Sequence, residues 1–82
     1  MDFILLTETI IKKIVVDPES VSVKEFLTED ENEIQIEVLI SQDDMGRVIG
    51  KEGRTANAIR TLVQASSSLN DNKYVKIDID KF

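Results

Sequence analysis

The 82-residue chain contains no cysteine, no histidine and no tryptophan, and it has one proline, one tyrosine and three glycines. Without cysteine there is neither a disulfide nor thiolate chemistry, and without histidine the commonest general base and metal ligand is missing. We therefore expect no enzymatic activity, no bound metal and no cofactor. The sequence also lacks an apolar run near the roughly 20 residues of a membrane span, and its N-terminus lacks the pattern of a signal peptide. These absences predict a cytoplasmic protein without membrane insertion.

Length and charge set the next limits. A chain of 82 residues predicts one domain, residues 1–82, with a single thin core. The net charge of −6 argues at first sight against nucleic acid. However, residues 1–42 carry a charge of −7 and residues 43–82 a charge of +1. An acidic body with a small basic site would suppress non-specific polyanion binding and still accept a short ligand.

The apolar residues predict a small α+β domain with the order helix, strand, strand, helix, helix, strand. They recur at helical spacing over residues 2–16, 44–49 and 54–68, and they alternate over residues 21–27, 34–40 and 74–80. Asp2 and the segment 41–44 are expected to cap helices, and Pro18 is expected to end the first helix near Val16. The right-handed crossover rule places the third strand parallel to the second.

Two of these segments have a second interpretation. The first helix could dock on a membrane or on a partner, but its polar face is weakly basic, so packing on the domain's own sheet is favoured. The acidic turn at residues 28–33 could hold a metal ion. A solvated hairpin tip seldom has the convergent geometry that a metal needs, so we expect the turn to be solvated.

All three glycines lie within residues 46–53, and Gly50 and Gly53 enclose two charged residues. Apolar residues at helical spacing on both sides predict a helix, a sharp turn and a second helix. Glycine at each end of the turn allows left-handed backbone angles and leaves no side chain to hold a ligand away. The second helix should begin near Gly53 or Arg54, so its free N–H groups face the turn beside Lys51. The expected ligand is an anion.

One phosphate-binding motif is excluded by spacing. The nucleotide-binding P-loop requires Gly, four residues, then Gly-Lys and a Ser or Thr. Gly46 and Gly50 are one residue too close for this pattern, and Glu52 stands where a hydroxyl would bind magnesium. The turn is therefore not a Walker A loop.

The segment Val48-Ile49-Gly50-Lys51-Glu52-Gly53-Arg54, followed by Ala58-Ile59-Arg60, resembles the core motif of KH domains. More closely, residues 44–54 resemble the signature of the small stand-alone bacterial KH proteins of the KhpA (YlqC-like) family. Residues 14–21 are similar to that family's helix-to-strand junction, so the resemblance covers nearly the whole chain. It implies a type II (prokaryotic) KH fold, with a three-stranded mixed sheet and the helices on one face. It also implies that a GxxG loop clamps about four nucleotides of single-stranded RNA.

The resemblance assigns roles around the turn. Phosphates would meet the N–H groups of residues 51–54, with added charge from Lys51 and Arg54 and a hydroxyl from Thr55. Bases would lie on Gly46, Val48, Ile49 and Ala56, with Ile59 as a further candidate, while strand-edge groups read their hydrogen-bonding faces. The Glu52 side chain is expected to point into solvent. The predicted RNA-binding residues are Gly46, Arg47, Val48, Ile49, Gly50, Lys51, Glu52, Gly53, Arg54, Thr55 and Arg60.

A rival function is that of a protein-interaction module. The small bacterial KH proteins that the chain resembles pair with themselves and with a larger Jag-type KH protein, KhpB. An apolar groove beside a glycine turn suits either RNA binding or protein binding. The resemblance therefore implies three partners, namely single-stranded RNA, a second copy of the chain and a Jag-type KH protein. The role that the resemblance implies is post-transcriptional regulation or RNA chaperoning. On the rival interpretation, RNA binding is secondary to pairing with protein.

Overall fold

The computed structural model describes residues 2–82, and within them it has three α-helices and three β-strands. In chain order these are α1 (Phe3–Ile14), β1 (Ser22–Phe26), β2 (Glu33–Ile40), α2 (Met45–Ile49), α3 (Arg54–Asn70) and β3 (Tyr74–Lys81). Three short 3₁₀ turns connect them, at Pro18–Ser20, Gln42–Asp44 and Lys51–Gly53. The predicted order of elements is confirmed.

The three strands form one mixed sheet in the order β1-β2-β3. β1 pairs antiparallel with β2, and β3 pairs parallel with β2, as the right-handed crossover rule predicted. The central strand alternates between buried and half-buried residues because its side chains point to opposite faces of the sheet. The edge strands β1 and β3 each leave one row of backbone groups unpaired by the sheet.

The core lies on one face of the sheet, under the helices. Its buried members are Phe3, Ile11, Ile34, Ile36, Val38, Ile40, Val48, Ile59, Val63, Val75 and Ile77. The other face is polar, as one row across the strands shows: Lys24 lies opposite Glu37, which lies opposite Asp78. Helices on one face of the sheet were predicted, and α1 packs against α3 and β1 as expected. None of these helices, within residues 2–82, is long and apolar enough to cross a bilayer.

The first helix ends two residues earlier than the pattern predicted. Asp2 caps its start by accepting the Leu5 N–H at 3.0 Å, but Val15 is already extended, with φ −79° and ψ 156°. The N–H groups of Val16 and Asp17 donate to the carboxylate of Asp44 instead of continuing the helix. A tertiary contact, in addition to Pro18, therefore sets this boundary.

The predicted caps at residues 41–44 are wrong in detail. Neither Ser41 nor Asp44 places a side-chain oxygen on an N–H of the helix that follows it. The Ser41 hydroxyl donates to Asp44 at 3.1 Å, and the Asp44 carboxylate turns back to the end of α1. A capping motif in sequence does not reveal that a more distant pair of donors competes for the same carboxylate.

Candidate nucleic-acid interface

The turn between α2 and α3 has the backbone that its glycines predicted. Gly50 ends α2 with φ 76° and ψ 176°, and Gly53 precedes α3 with φ 77° and ψ 11°. Both φ values are positive and lie in the region that favours glycine. Glu52 between them also has a positive φ of 57°. The chain thus reverses within four residues, and the side chains of Lys51 and Glu52 are exposed at its tip.

Gly50 is required by a contact within the chain. A Cβ placed on it would lie 2.8 Å from the Thr55 Cβ and 2.9 Å from the Thr55 backbone nitrogen. The first turn of α3 therefore packs directly on Gly50, with Thr55 half-buried. Gly46 differs, because it is exposed and a Cβ there would meet nothing within 4 Å. A ligand can therefore approach the backbone closely at Gly46, as the sequence suggested. At Gly50 the corresponding space is occupied by Thr55.

Two of the four N–H groups expected to meet phosphate already have acceptors. The Gly53 N–H donates to the Gly50 carbonyl at 3.3 Å, and the Arg54 N–H donates to the Lys51 carbonyl. A phosphate that takes either donor must replace a hydrogen bond of the turn.

The cations around the turn are not equivalent. Arg54 pairs with Glu52 at 3.4 Å, and the two side chains are 74% and 69% exposed. Arg47 lies 3.7 Å from the carboxylate of Asp44. Among the ion pairs of residues 2–82, none involves Lys51, which is exposed. In the free protein Lys51 offers an unshared charge, and Arg54 shares its charge with a neighbouring carboxylate.

Asp44 is the one buried carboxylate within residues 2–82, with 2% of its surface exposed. It accepts hydrogen bonds from the Val16 N–H at 3.0 Å, the Asp17 N–H at 3.2 Å and the Ser41 hydroxyl at 3.1 Å. The Val16 hydrogen bond, with those of Asp17 and Ser41 and the charge of Arg47, holds the pKa of Asp44 below 3.8 in spite of burial. The ionised carboxylate joins the end of α1 to the start of α2.

Three apolar residues expected to contact bases lie in the core instead. Val48, Ala56 and Ile59 are 0%, 1% and 2% exposed. Their helical spacing turns them toward the sheet, so their side chains support the turn from beneath and offer no surface to a base. This corrects the prediction for the Val48 side chain. Of the predicted apolar surface, Gly46 is exposed and Ile49 is half-buried.

Arg60 and Gln64 connect α3 to the outer edge of β3. The Arg60 Nε donates to the Ile77 carbonyl at 3.1 Å. Gln64 accepts the Val75 N–H at 2.8 Å and donates to the Lys73 carbonyl at 3.0 Å. Because successive backbone groups of a strand alternate between its edges, Val75 and Ile77 direct theirs away from β2. Arg60 thus reaches the strand edge, and Gln64 is a second bridge that the sequence pattern did not reveal.

An open groove of about 630 Å³ runs between α3 and this edge. It is lined by Arg60, Thr61, Gln64, Ala65, Tyr74, Val75, Lys76, Ile77 and Asp78. Arg60 is the member that the sequence predicted. Tyr74 was missed, although one signal was present: an aromatic residue in the same alternating set as Lys76 and Asp78 must lie on a polar face.

Within residues 2–82, no group of three His, Cys, Asp or Glu side chains could hold a metal ion.

The order αββααβ, a parallel third strand and a Gly-x-x-Gly turn between two helices define a type II KH domain. Residues 5–79 match the family model described as KhpA/KhpB, KH domain. The chain therefore belongs to the KhpA/KhpB family of KH-domain proteins.

Named relatives are similar over almost their whole length. The RNA-binding protein KhpA of Clostridium perfringens is 47% identical over 74 residues, which cover 90% of this chain and 95% of that protein. The RNA-binding protein KhpA of Listeria monocytogenes is 44% identical over 71 residues, covering 87% of this chain and 90% of that protein. These relatives are named as RNA-binding proteins and not as enzymes.

Solved structures of the protein Era share the fold. Aquifex aeolicus Era bound to GDP.AlF4- gives a TM-score of 0.65 at 17% identity, covering 99% of this chain and 31% of the Era chain. Era in complex with MgGDPNP and nucleotides 1506–1542 of 16S ribosomal RNA gives 0.61 at 18% identity, with the same coverages of 99% and 31%. The chain thus spans about a third of Era, and at this identity the likeness is one of fold alone.

Proposed function

We propose that the chain binds single-stranded RNA and clamps about four nucleotides at the Gly50–Gly53 turn. The observation that carries the proposal is the left-handed turn at the start of α3, with Lys51 and Arg54 exposed beside it. A helix N-terminus flanked by cations is a favourable place for phosphate. The relatives named as RNA-binding proteins support the same ligand.

The backbone of the RNA would follow the turn. The Lys51 side chain contacts phosphate directly. The Arg54 side chain contacts phosphate after its ion pair with Glu52 breaks. The Gly53 and Arg54 N–H groups exchange their turn acceptors for phosphate oxygens, and Thr55 adds a hydroxyl at the start of α3. Glu52 lies within the clamp, and its backbone rather than its carboxylate is the part suited to an anion.

The bases would lie on the side of α3 that faces β3. Gly46 and Ile49 give the accessible surface next to the turn, with Arg47 at its margin. Arg60 then leads into the groove, where the Val75 N–H and the Ile77 carbonyl can read hydrogen-bonding faces once a base displaces Gln64 and Arg60 from them. This path replaces the one through Val48, Ala56 and Ile59, whose side chains are buried.

The test is a double substitution, Lys51→Asp with Glu52→Asp, which keeps both glycines. Both side chains are exposed, so the fold should persist, while the reversed charge repels phosphate at contact distance. We expect the affinity for a short single-stranded RNA to fall at least about tenfold. The control is Lys13→Glu, an exposed position on α1 with the same change in net charge, which should leave binding within twofold. Undiminished binding by the folded double variant would rule out the turn as the site.

A second proposed role is pairing with protein. Leu62 and Leu69 lie two helical turns apart on α3 and are 57% and 86% exposed. At 100° per residue, Leu62 and Leu69 lie on the side of α3 opposite Arg60 and next to Ala65, so this surface borders the outer wall of the groove. We propose that the chain forms a homodimer and pairs with a Jag-type (KhpB) KH protein, acting in the cytoplasm as a post-transcriptional regulator or RNA chaperone. Light scattering of the wild type and of Leu62→Glu at tens of micromolar tests the pairing; a monomeric wild type contradicts it.

A further inference from the structure

We propose that Tyr74 forms an additional nucleotide subsite, in which one base of a single-stranded RNA stacks on the tyrosine ring. The subsite lies at the end of the groove far from the glycine turn. The inference rests on the proposed RNA-binding function and extends its footprint beyond the four nucleotides of the clamp.

The position of Tyr74 follows from the directions of α3 and β3. Contacts between the two elements pair Arg60 with Ile77, Gln64 with Val75 and the Ser67 hydroxyl with Lys73. Moving along α3 away from the turn therefore means moving back along β3 toward its first residue. Gln64 is ten residues into α3, which places this end of the groove roughly 15 Å from the turn. An RNA strand that is held at the glycine turn and continues along the groove therefore reaches Tyr74.

The chemistry of this end suits a base. Tyr74 is 64% exposed and lines the groove. It shares its face of the sheet with Lys76, which also lines the groove and can meet a phosphate. Glu33, the partner of Tyr74 on β2, lies on the side of Tyr74 away from the outer edge of β3, so its negative charge disfavours RNA on that side. An exposed ring beside a cation is the arrangement that proteins use to stack unpaired bases without selecting their sequence.

Stacking on one aromatic ring changes affinity by roughly 5- to 150-fold. Because the clamp alone holds about four nucleotides, the contribution of Tyr74 should appear only with a longer strand. Shape and hydrophobicity alone would also allow a protein partner at this ring. The dependence of RNA affinity on RNA length separates a base-stacking role from a protein contact, because a protein contact at Tyr74 would not depend on the number of nucleotides.

Tyr74 also supplies its own probe. It is the one tyrosine of a chain without tryptophan, so the intrinsic fluorescence of the protein reports on this ring. Random-sequence single-stranded RNA of four and of eight nucleotides would be titrated with the wild type, Tyr74→Ala and Tyr74→Phe. The fluorescence anisotropy of an end label on the RNA gives the affinities, since the two variants have no tyrosine. We expect the longer RNA to quench the fluorescence and the shorter RNA to leave it nearly unchanged. Tyr74→Ala should weaken binding of the longer RNA at least fivefold and of the shorter RNA less than twofold, and Tyr74→Phe should bind both like the wild type.

The matched control is Phe26→Ala, which removes a partly exposed aromatic residue from the opposite edge strand and should leave both affinities within twofold. If the wild type binds the longer RNA without quenching, or if Tyr74→Ala binds it undiminished, the stacking subsite is wrong and the clamp stands. A change of self-association in Tyr74→Ala, with RNA affinity intact, would assign the ring to a protein contact and overturn the inference. If neither RNA binds the wild type, the proposed function fails and the subsite fails with it.

Discussion

The carboxylate of Asp44 accepts a hydrogen bond from the N–H of Val16, 28 positions earlier in the chain, at 3.0 Å. The same carboxylate lies 3.7 Å from the guanidinium of Arg47 on α2. The end of α1 and the start of the helix that leads into the glycine turn are therefore held by one buried anion. The orientation of α2, and with it that of the turn, depends on a residue outside the predicted binding site.

Asp44→Asn should lower the melting temperature by roughly 5–10 °C at neutral pH, because one amide oxygen cannot serve the donors of Val16, Asp17 and Ser41 together. The folded pKa of Asp44 is below its ordinary value of 3.8. Its contribution to stability is therefore present above that pH and is lost as the pH falls through the folded pKa. Thermal unfolding between about pH 7 and pH 2 should show the gap between wild type and variant narrowing below about pH 4. A gap that stays constant across this range would contradict the role of the ionised carboxylate.

The two glycines of the turn should differ in their tolerance of alanine. Gly50→Ala brings a Cβ against Thr55, whose backbone nitrogen cannot move without α3, in addition to the strain of a positive φ. Its cost should be about 3 kcal/mol or more in the free energy of unfolding. Gly53→Ala has the positive φ but no contact closer than 3.8 Å, and should cost about 1–2 kcal/mol. Chemical denaturation measures both, and equal costs would contradict the close packing of Thr55 on Gly50.

Glu52→Gln should strengthen binding to single-stranded RNA about two- to fivefold, because it frees Arg54 from its ion pair and removes a negative charge near the phosphates. Glutamine accepts the same backbone angles as glutamate, so the melting temperature should change little. Glu31→Gln, which makes the same change of charge at the exposed turn between β1 and β2, is the control and should leave affinity within 1.5-fold. Equal gains in the two variants would mean that net charge, and not the Glu52–Arg54 pair, limits binding.

The sequence predicted most of the fold because the apolar spacing within each element is regular. Alternation in β2 and helical spacing in α3 each identify an element and its buried face. The left-handed turn at Gly50 and Gly53 was predictable for a local reason, since glycine is the residue that adopts such angles freely. What local patterns convey is the conformation of a segment and the face that it buries.

The site was less predictable because its surfaces depend on contacts between elements. Val48 and Ile59 flank the turn in sequence, yet the sheet beneath them takes their side chains out of reach of a ligand. Tyr74 is twenty positions from Arg54 and lines the groove only because β3 runs beside α3. Asp44 precedes a helix as a capping residue would, and its partners at residues 16–17 are invisible to any local motif.

The last prediction separates the glycine clamp from diffuse charge. If two to four phosphates are met, mostly by backbone N–H groups and by two cationic side chains such as Lys51 and Arg54, few counterions are released. The slope of log affinity against log salt should then be about −1.4 per domain, and duplex RNA of the same sequence should bind far more weakly, because paired bases cannot enter the groove. A diffuse basic surface predicts the opposite on both counts. Salt titrations with a short single strand and its duplex measure both quantities; a slope steeper than about −4, or equal affinity for the duplex, would reject the clamp.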